Sequence, residues 1–600
     1  MTRQDFFLQR QQTFTQTEQA AQRRYNQLAI GRLIWFMGAL AAVWVAINAE
    51  QTVLAVIAGL VGLIGFLYLL KRHQDVRQER DYAHHLVFIN QDEAARLERK
   101  FLRPETGSEF TDSAHPYAGD LDVFGTHSLF RLLNRTHTYQ GTHQLANWLR
   151  HPADAATIRL RQQAVTELNP LTDWRQRFEA IAYLNPSVSE SPAALLAWAE
   201  EDAIPIPGYL HWIRWALPAI TITLFGCWLA GLVPGLTVIG ALAVHGLVLK
   251  GIGPRMNALT EKTYVMARAL GTYHELFAHI EAQPFQAGQL QQNQKRLTSG
   301  AQSASSTVAT LSRLTENLSF RQNPYFVLFF GLATLWDIHY LIGLEKWRQR
   351  HGGQLALWFN ALGDLECLNS LAGLAFAHLD YTIPAIHVTG VHLEAKQAAH
   401  PMLIPGKAVA NSLTLAGAGQ TVLITGSNMS GKSTFLRTLG ANTVLALAGS
   451  VVSAEHFSCS AMQLFTSMRT QDSLEESTSS FYAELKRLQT LIRLTKATSQ
   501  RPILYFLDEI LKGTNSADRH RGADALIRQL HRTTASGFVS THDLELGQLG
   551  NDEDFVRNYH FQSDIRDGEL LFDYRLRDGI CESFNASQLM QAIGIEITTA

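Results

Sequence analysis

A glycine-rich stretch in the last third of the chain constrains its fold more than any other feature. An apolar run leads directly into the pattern G-x-x-x-x-G-K-S, within the sequence TVLITGSNMSGKST at residues 421–434. The pattern requires a strand, a tight loop and then a helix, because backbone N–H groups must close around a phosphate at the positive end of that helix. We therefore expect a site for ATP or GTP. The alternative is a glycine-rich turn without a ligand.

The residues of this loop have distinct expected roles. The glycines let the backbone approach the phosphates, Lys432 supplies a mobile cation, and Ser433 ligates Mg²⁺. The residues expected to contact the nucleotide are Gly426, Ser427, Asn428, Met429, Ser430, Gly431, Lys432, Ser433 and Thr434.

Two carboxylates follow a second apolar run and are expected to complete the site. The run at residues 503–507 ends in Asp508 and Glu509. Asp508 is expected to hold Mg²⁺ through its water shell, and Glu509 to polarise the attacking water as general base. His542 follows the next predicted strand, where a neutral imidazole would contact the γ-phosphate or its water. The alternatives are an ordinary solvated acidic pair and a structural histidine.

The arrangement of short apolar runs predicts the fold class of the C-terminal part. From about residue 386, β-branched runs alternate with helical patterns, with strands expected at 421–424, 503–507 and 537–540. This alternation predicts a mostly parallel sheet and, with the loop, an α/β P-loop NTPase. Residues 120–200 instead carry leucines at three- and four-residue spacings, which indicates helices.

The composition limits which partners and which cellular compartment are expected for this chain. The formal net charge of −2 over 600 residues does not indicate a surface dominated by basic residues, so strong sequence-independent binding to nucleic acid is not expected. The four cysteines are far apart and form no C-x-x-C pattern, which argues against structural zinc and disulfides and suits a reducing cytosol: Cys227, Cys367, Cys459 and Cys581.

Uncharged apolar runs upstream predict membrane segments. Residues 33–49 and 52–70 are separated only by Glu50 and Gln51, and each is close to the roughly 20 residues that a helix needs to cross a bilayer. They predict a transmembrane hairpin. The alternative is a pair of buried core helices.

Two further apolar stretches receive different interpretations. Residues 215–249 are uncharged and broken by a Gly/Pro turn at 231–235, which predicts a second transmembrane hairpin. Residues 325–336 form a run of only about twelve that leads into Asp337 and His339, so we expect a core helix there.

The positions of the cations predict the orientation. Basic residues flank both hairpins and are absent from their turns: Arg23, Arg24, Arg32, Lys71, Arg72, Arg77, Arg214, Lys250 and Arg255. Positive charge favours the cytoplasmic side, so both ends of each hairpin and the phosphate-binding loop should be cytoplasmic. The sequence thus predicts a multi-pass protein of the cell inner membrane.

These patterns divide the chain into seven expected parts. In order, they are an amphipathic N-terminal segment (1–30), a transmembrane hairpin (31–71), a linker helix (72–119), a first helical part (120–212), a second transmembrane hairpin (213–250), a second helical part (251–385) and the ATPase domain (386–600).

The order of motifs in the C-terminal part resembles the ATPase domain of the MutS family, an ABC-type ATPase. The resemblance covers roughly residues 400–600 and rests on TGSNMSGKSTFLRTLG, AGSVVSAE, DSLEESTSSFYAEL, LYFLDEILKGTNSADRHRGA and STHDLEL, in that order. Upstream, THTYQGTHQLANWLRHPADAATIRLRQQAVTEL is similar to the start of that family's helical core and lever. LGDLECLNSLAGLAFAH and EAKQAAHPML are similar to its return into the ATPase.

The resemblance implies a shared site in a homodimer. Ser479 matches the family's signature serine, which reaches the γ-phosphate of the partner's ATP. Asp518 and the loop 513–515 would lie at the same interface, and Asp472 matches an acidic loop ahead of the signature. The interpretation of Ser479 from residues alone is a helix cap. The cofactors implied are ATP and Mg²⁺.

The chain also departs from the family pattern. No segment resembles the mismatch-reading domain or its Phe-x-Glu wedge, and little sequence follows Phe584-Asn585-Ala586 where a C-terminal extension is usual. Direct mismatch recognition is therefore not expected. The second hairpin lies inside the lever-like region, where typical members are soluble.

Three functional interpretations follow. The first is a membrane-anchored MutS-like ATPase, with binding of mismatched or branched DNA left open. The second is a membrane scaffold that switches with ATP and binds no DNA. The third is an ABC-type transporter subunit, which predicts a Leu-Ser-Gly-Gly-Gln signature and about six membrane helices, whereas this chain has Ser-Ser-Phe-Tyr-Ala-Glu and two hairpins.

Overall fold

The chain folds into a helical part followed by an α/β part. The computed structural model describes residues 2–202, 206–300, 302–404, 406–469, 480–496, 501–566 and 569–581. Helices occupy the chain as far as Ala377, and both sheets follow it.

A long helical hairpin begins the chain. Helices α1 (Arg3–Asn48) and α2 (Thr52–Leu97) have 46 residues each, about 69 Å at the usual helical rise. They run antiparallel, and Trp35 Nε1 donates a hydrogen bond to the Gly62 carbonyl at 2.9 Å. The predicted segments 1–30 and 31–71 are therefore parts of continuous helices, in which the apolar halves are adjacent and exposed.

The C-terminal half of α2 leaves this exposed environment and enters the helical core. There Arg135 donates to Glu93 at 2.8 Å, and Asp92 pairs with Arg96 at 2.7 Å, with all four side chains buried. Five helices follow in this core, and α6 packs against α2: α3 (Leu129–Leu133), α4 (Tyr139–Arg150), α5 (Ala155–Leu168), α6 (Thr172–Tyr183) and α7 (Ala193–Glu200). The long apolar hairpin is thus attached rigidly to the core.

A second apolar hairpin follows. It consists of α8 (Gly208–Leu229) and the first half of α9 (Gly235–Ala282), joined by a turn in which Gly231 has φ of 72°. In the described residues, four helices are long and apolar enough to cross a membrane, namely α1, α2, α8 and the Gly235–Asn257 part of α9. They coincide with the two predicted hairpins.

The third apolar run is not a core helix, so that prediction was wrong. After α10 (Gly288–Thr298) and α11 (Ala304–Ser319), the chain forms α12 (Pro324–Phe326), a π-helical turn, α13 (Leu332–Thr334) and then α14 (Trp336–Ala377). Tyr325, Leu328, Phe329 and Phe330 are 62–75% exposed. The chain bends by 79° at the break before α14, which keeps the short helices from folding back onto the core.

Two sheets form the α/β part. Its elements are β1 (Ala385–His387), β2 (His392–Ala398), β3 (Asn411–Ala416), β4 (Thr421–Thr425), α15 (Lys432–Ala448), β5 (His456–Ser460), β6 (Gln463–Ser467), α16 (Ser480–Lys496), β7 (Ile503–Asp508), α17 (Ser516–His531), β8 (Ser536–Thr541), α18 (Leu549–Asp552), β9 (Val556–Arg566) and β10 (Glu569–Asp578). The three predicted strands are confirmed as β4, β7 and β8.

The larger sheet is mostly parallel, as predicted. Its strand order is β10-β9-β4-β8-β7-β6, and of its described pairings only β9 with β10 is antiparallel. The fully buried strand β4 lies at its centre. A smaller mixed sheet with the order β1-β5-β2-β3 was not predicted.

The helical and α/β parts are joined by specific polar contacts. Asp120 accepts hydrogen bonds from Thr466 Oγ1 at 2.7 Å and from the Met468 N–H at 3.1 Å. Arg487 on α16 donates to the Pro116 carbonyl at 2.8 Å. These contacts lie next to the carboxyl ends of β6 and β7, so a movement there is transmitted directly to the helical part.

Candidate functional site

The loop between β4 and α15 has the conformation that its sequence predicts. Gly426, Met429 and Gly431 have φ values of 148°, 68° and 106°. A Cβ on Gly426 would lie 2.8 Å from the Phe561 carbonyl oxygen and 2.9 Å from Ser430 Oγ, so only glycine fits there. Gly431 precedes the first turn of α15, and the N–H groups of this turn point toward the loop.

Lys432 lies inside the loop. Its side chain is 4% exposed, and Nζ donates to the carbonyl oxygens of Gly426 at 2.7 Å and Ser427 at 2.9 Å. Burial lowers the pKa of Lys432 below its usual value, and the carboxylates of Glu509 and Asp508 oppose this shift. The loop thus surrounds an ammonium group with oxygen atoms, an arrangement in which phosphate oxygens are natural partners.

Ser430 supports the same interpretation. The residue is 1% exposed, and among the described residues its hydroxyl has no hydrogen-bond partner. An unpartnered buried hydroxyl is costly, and an anionic oxygen held in the loop would satisfy it. Ser427 Oγ lies 3.2 Å from Ser563 Oγ on β9, which holds the first turn of the loop against the sheet.

Asp508 and Glu509 lie at the carboxyl end of β7, beside this loop. Asp508 accepts a short hydrogen bond from the Ser540 hydroxyl on β8. Glu509 has φ of 50°, a left-handed conformation that is strained for a residue with a side chain, and its N–H donates to the Ser540 carbonyl at 2.9 Å. This conformation directs the Glu509 carboxylate toward Lys432, at 3.8 Å.

The electrostatics of Glu509 favour its ionised form. Burial alone would raise its pKa, but the hydrogen bond from Lys512 and the charges of Lys512 and Lys432 bring the pKa below the usual value. The Lys512 Nζ lies 3.1 Å from Glu509 Oε2, and His542 Nδ1 lies 3.9 Å from the same oxygen. The structure therefore brings together Lys432, Glu509 and His542, as the sequence predicts for a base and its neighbours.

A cavity of about 520 Å³ opens at the loop. Its walls include the predicted residues Asn428, Met429, Gly431, Lys432, Ser433, Thr434 and Glu509. Four aromatic rings that the sequence did not predict also line the cavity: His400, Phe435, Phe561 and Tyr574. They come from separate strands, loops and helices, so no local pattern identifies them. Burial lowers the pKa of His400 to about 4, which keeps its ring neutral.

A smaller cavity of about 200 Å³ lies on the other side of the carboxylates. Asp508, Glu509 and Lys512 border it, together with Glu484 of α16 and Asp120 of the helical part. Burial raises the pKa of Glu484 above its usual value. Because Glu509 borders both cavities, a water molecule reaching it from this side would face the loop.

The residues expected at a dimer interface are only partly described. Ser479 and Asp472 lie outside the described residues. Asn515 caps α17, and its amide donates to the exposed Asp518 carboxylate at 2.8 Å. A Cβ on Gly513 would touch Phe481 of α16, so this loop packs closely against the helix that follows Ser479.

The C-terminal part of the chain is similar in sequence to known proteins. A family profile described as MutS domain V matches residues 422–596. A DNA mismatch repair protein MutS from Natronomonas pharaonis is 30% identical over 239 residues, which is 39% of this chain and 27% of the relative. Another from Exiguobacterium sp. is 34% identical over 225 residues, 36% of this chain and 26% of the relative. Endonuclease MutS2 from Bacillus velezensis is 30% identical over 240 residues, 39% of this chain and 30% of the relative.

The fold and these matches define the C-terminal part as an α/β domain of the MutS type. The C-terminal part of the chain is similar to the MutS family, as its motifs predicted. The matched part spans less than a third of each of these relatives, so the likeness is confined to this domain.

Proposed function

We propose that this chain is a membrane-anchored ATPase of the P-loop class that hydrolyses ATP with Mg²⁺. The observation that carries the proposal is the position of Lys432, whose buried ammonium group is held by loop carbonyl oxygens and lies 3.8 Å from Glu509. A buried cation in a loop of this shape, next to a carboxylate at a strand end, suits phosphoryl chemistry.

The residues of the site then have defined tasks. The loop and Lys432 bind the β- and γ-phosphates, and the aromatic residues of the larger cavity contact the remainder of the nucleotide. Ser433 and Asp508 would hold Mg²⁺, which neutralises phosphate charge when bound. Glu509, ionised and restrained by Lys512, accepts the proton of the attacking water. His542 orients that water from 3.9 Å away from Glu509.

We further propose that two copies share each site. Ser479 of one copy would contact the γ-phosphate bound by its partner, and the Asn515 and Asp518 end of α17 would line the same interface. MutS-family relatives supply this arrangement by analogy. In this chain, the Gly513 loop packs closely on α16, the helix that follows Ser479, and this packing supports a coupling between the nucleotide site and that helix.

The two apolar hairpins are proposed to be membrane anchors in the cell inner membrane. Four described helices have sufficient length and hydropathy to span a bilayer, and their apolar side chains are exposed. Basic residues flank both hairpins, so the ATPase domain would face the cytoplasm, where ATP is available.

The base assignment is tested with Glu509→Gln. This substitution keeps the shape of the side chain but removes its capacity to accept a proton, so ATP turnover should fall at least about 100-fold while ATP binding persists. Glu545→Gln, at an exposed glutamate in the same domain, is the matched control and should leave turnover unchanged. Undiminished hydrolysis by Glu509→Gln would contradict the proposed role.

The proposed ATPase has two alternative functions, and a DNA-binding measurement distinguishes them. Coupling to mismatched or branched DNA is the first function, and the similarity to DNA mismatch repair proteins supports it. An ATP-switched membrane scaffold without DNA is favoured by the net charge of −2 and by the apolar hairpins in the helical part. Reconstituted protein with a slowly hydrolysed ATP analogue should bind branched duplexes with a steep salt dependence in the first case. No binding at low salt supports the scaffold.

A further inference from the structure

The short apolar segment between α11 and α14 is the least explained part of the helical region. Residues 320–335 expose Phe320, Tyr325, Leu328, Phe329 and Phe330 to the surroundings instead of burying them. A continuous exposed face of large apolar side chains needs an apolar neighbour. The segment is adjacent to the second apolar hairpin, whose own exposed side chains form part of the same surface.

His245 joins this segment to the hairpin. It is fully buried on α9, and its Nε2 lies 3.0 Å from Thr221 Oγ1 on α8. Its Nδ1 lies 2.8 Å from the carbonyl oxygen of Leu332 in α13. Thr221 and His245 are both well inside the apolar parts of their helices. Leu332 is therefore held at a depth where the hairpin would be surrounded by hydrocarbon.

The depth can be estimated from α8. Thr221 lies six residues beyond Trp215, the start of the uncharged run, which corresponds to about 9 Å along the helix. A hydrocarbon core is about 30 Å thick. Leu332, held at the level of Thr221, therefore lies about 9 Å inside the start of the uncharged run and does not reach the turn at Gly231.

Both ends of the segment return to the same side. Arg321 Nε, at its start, pairs with Asp337 Oδ2, just after its end, at 3.1 Å. Helices α11 and α14 then pack against each other in the helical core, where Trp347 Nε1 donates to the Thr307 carbonyl at 2.9 Å. The chain thus enters and leaves by one face, which excludes a span that crosses the bilayer.

The break in the helix is compatible with an apolar surrounding because its polar groups are satisfied. Leu335 has φ of 52°, and the regular helical pattern is interrupted there. His245 binds the Leu332 carbonyl, and the Thr334 hydroxyl donates to the Phe330 carbonyl at 2.7 Å. Non-helical backbone at membrane depth is tolerated only where protein groups satisfy it in this way.

We propose that residues 320–335 form a re-entrant element inserted among lipid acyl chains of the cytoplasmic leaflet and held there by His245. The proposal rests on the membrane anchoring proposed above and adds a contact that the two hairpins alone do not supply. Helix α14 starts at this element and reaches Glu366, about 45 Å further along, in the core that contacts the ATPase domain. Movement of that core would therefore displace a group embedded in one leaflet.

The test is made on full-length protein in liposomes, in a Cys227→Ser background. Single cysteines replace Phe329 in the re-entrant element, Leu60 in the first hairpin and Val388 in the α/β part, all exposed positions. Each cysteine carries an environment-sensitive fluorophore, and the liposomes contain nitroxide lipids. We expect the nitroxide lipids to quench the fluorophore at Phe329→Cys and at Leu60→Cys, but not at Val388→Cys. At Phe329→Cys, a nitroxide near the lipid headgroup should quench more strongly than one deep among the acyl chains.

The outcomes distinguish this proposal from the anchoring on which it rests. Quenching at Leu60→Cys without quenching at Phe329→Cys would overturn the re-entrant element and leave the anchors. Loss of quenching at both would overturn both proposals. In spheroplasts, an impermeant maleimide should label Leu232→Cys, in the turn of the second hairpin, from outside. Labelling of Phe329→Cys from that side would overturn the element.

A substitution of His245 tests its role separately. His245→Leu removes both hydrogen bonds, so labelling of Phe329→Cys from water should become about tenfold faster, the effect of losing one or two hydrogen bonds. Leu247→Ala, at an exposed position on the same helix, should leave the rate unchanged. Retained ATP turnover shows that His245→Leu folds, and an unchanged labelling rate in that protein would contradict the proposed anchor.

Discussion

At the scale of single residues, Glu366 is a buried carboxyl group whose protonation is linked to folding. It lies on α14, is 2% exposed, and accepts hydrogen bonds from the backbone N–H groups of His137 at 2.9 Å and Thr138 at 3.2 Å. Burial raises its pKa to about 7, although these hydrogen bonds favour the ionised form. The folded chain therefore retains a proton that the unfolded chain releases near pH 4.5.

This linkage predicts a pH dependence of stability. Because the folded pKa is raised, the contribution of Glu366 is complete below about pH 4.5 and is lost as pH rises to about 7, by at most about 3 kcal/mol. Glu366→Gln resembles the protonated acid and should flatten this part of the profile. Thermal unfolding in detergent between pH 5 and 8 measures it, with the exposed Glu455→Gln as control. Equal slopes in both variants would refute the linkage.

The residues of the candidate site were predictable only where chemistry follows local sequence. Lys432 and Glu509 belong to motifs in which spacing fixes geometry, and the structure places them 3.8 Å apart. His400 and Tyr574 line the same cavity but depend on how distant loops and strands meet. Tyr574 reaches the loop through a register shift in the pairing of β9 and β10, which no local pattern specifies.

At the scale of elements, the contact between α4 and α14 is close enough to require glycine. Gly141 in the first turn of α4 faces Glu366, and an added Cβ would overlap its carboxylate. Gly141→Ala should therefore displace Glu366 and lower the free energy of unfolding by about 1–3 kcal/mol. Gly353→Ala on α14, where a Cβ meets nothing within 4 Å, is the matched control. Gly353→Ala should be neutral or slightly stabilising. Equal melting temperatures for Gly141→Ala and Gly353→Ala would contradict the close packing of Gly141 on Glu366.

Element type was predictable where one signal dominated. The uncharged runs at 33–49 and 52–70 predicted helices, and α1 and α2 contain them except for Ala49, which caps α1. The run at 325–336 was wrongly predicted to be a core helix because its length fits one. In the structure, the left-handed Leu335 turns the chain before the helix reaches the core. Helix periodicity carries no information about such a bend. The small sheet was missed because β1 has only three residues.

At the scale of the whole molecule, the two hairpins project apolar surface that no other described part of the chain covers. We expect the full-length protein to sediment with membranes and to resist extraction by high salt or alkaline carbonate, because the hydrophobic effect and not charge would hold it. Detergent should release it. Recovery in the soluble fraction without detergent would overturn the anchoring.

If two copies share each ATP site, mixing two inactive variants should restore activity. Glu509→Gln lacks the base, and Ser479→Ala lacks the group offered to the partner, so each variant alone should be nearly inactive. In a mixed dimer, the loop of the Ser479→Ala copy meets an intact Ser479, which restores one of its two sites.

Equal amounts of the two variants, purified in detergent and exchanged, should therefore recover about a quarter of wild-type ATP turnover, since about half of the dimers are mixed. Activity that stays at the level of the separate variants would contradict a site completed by the partner.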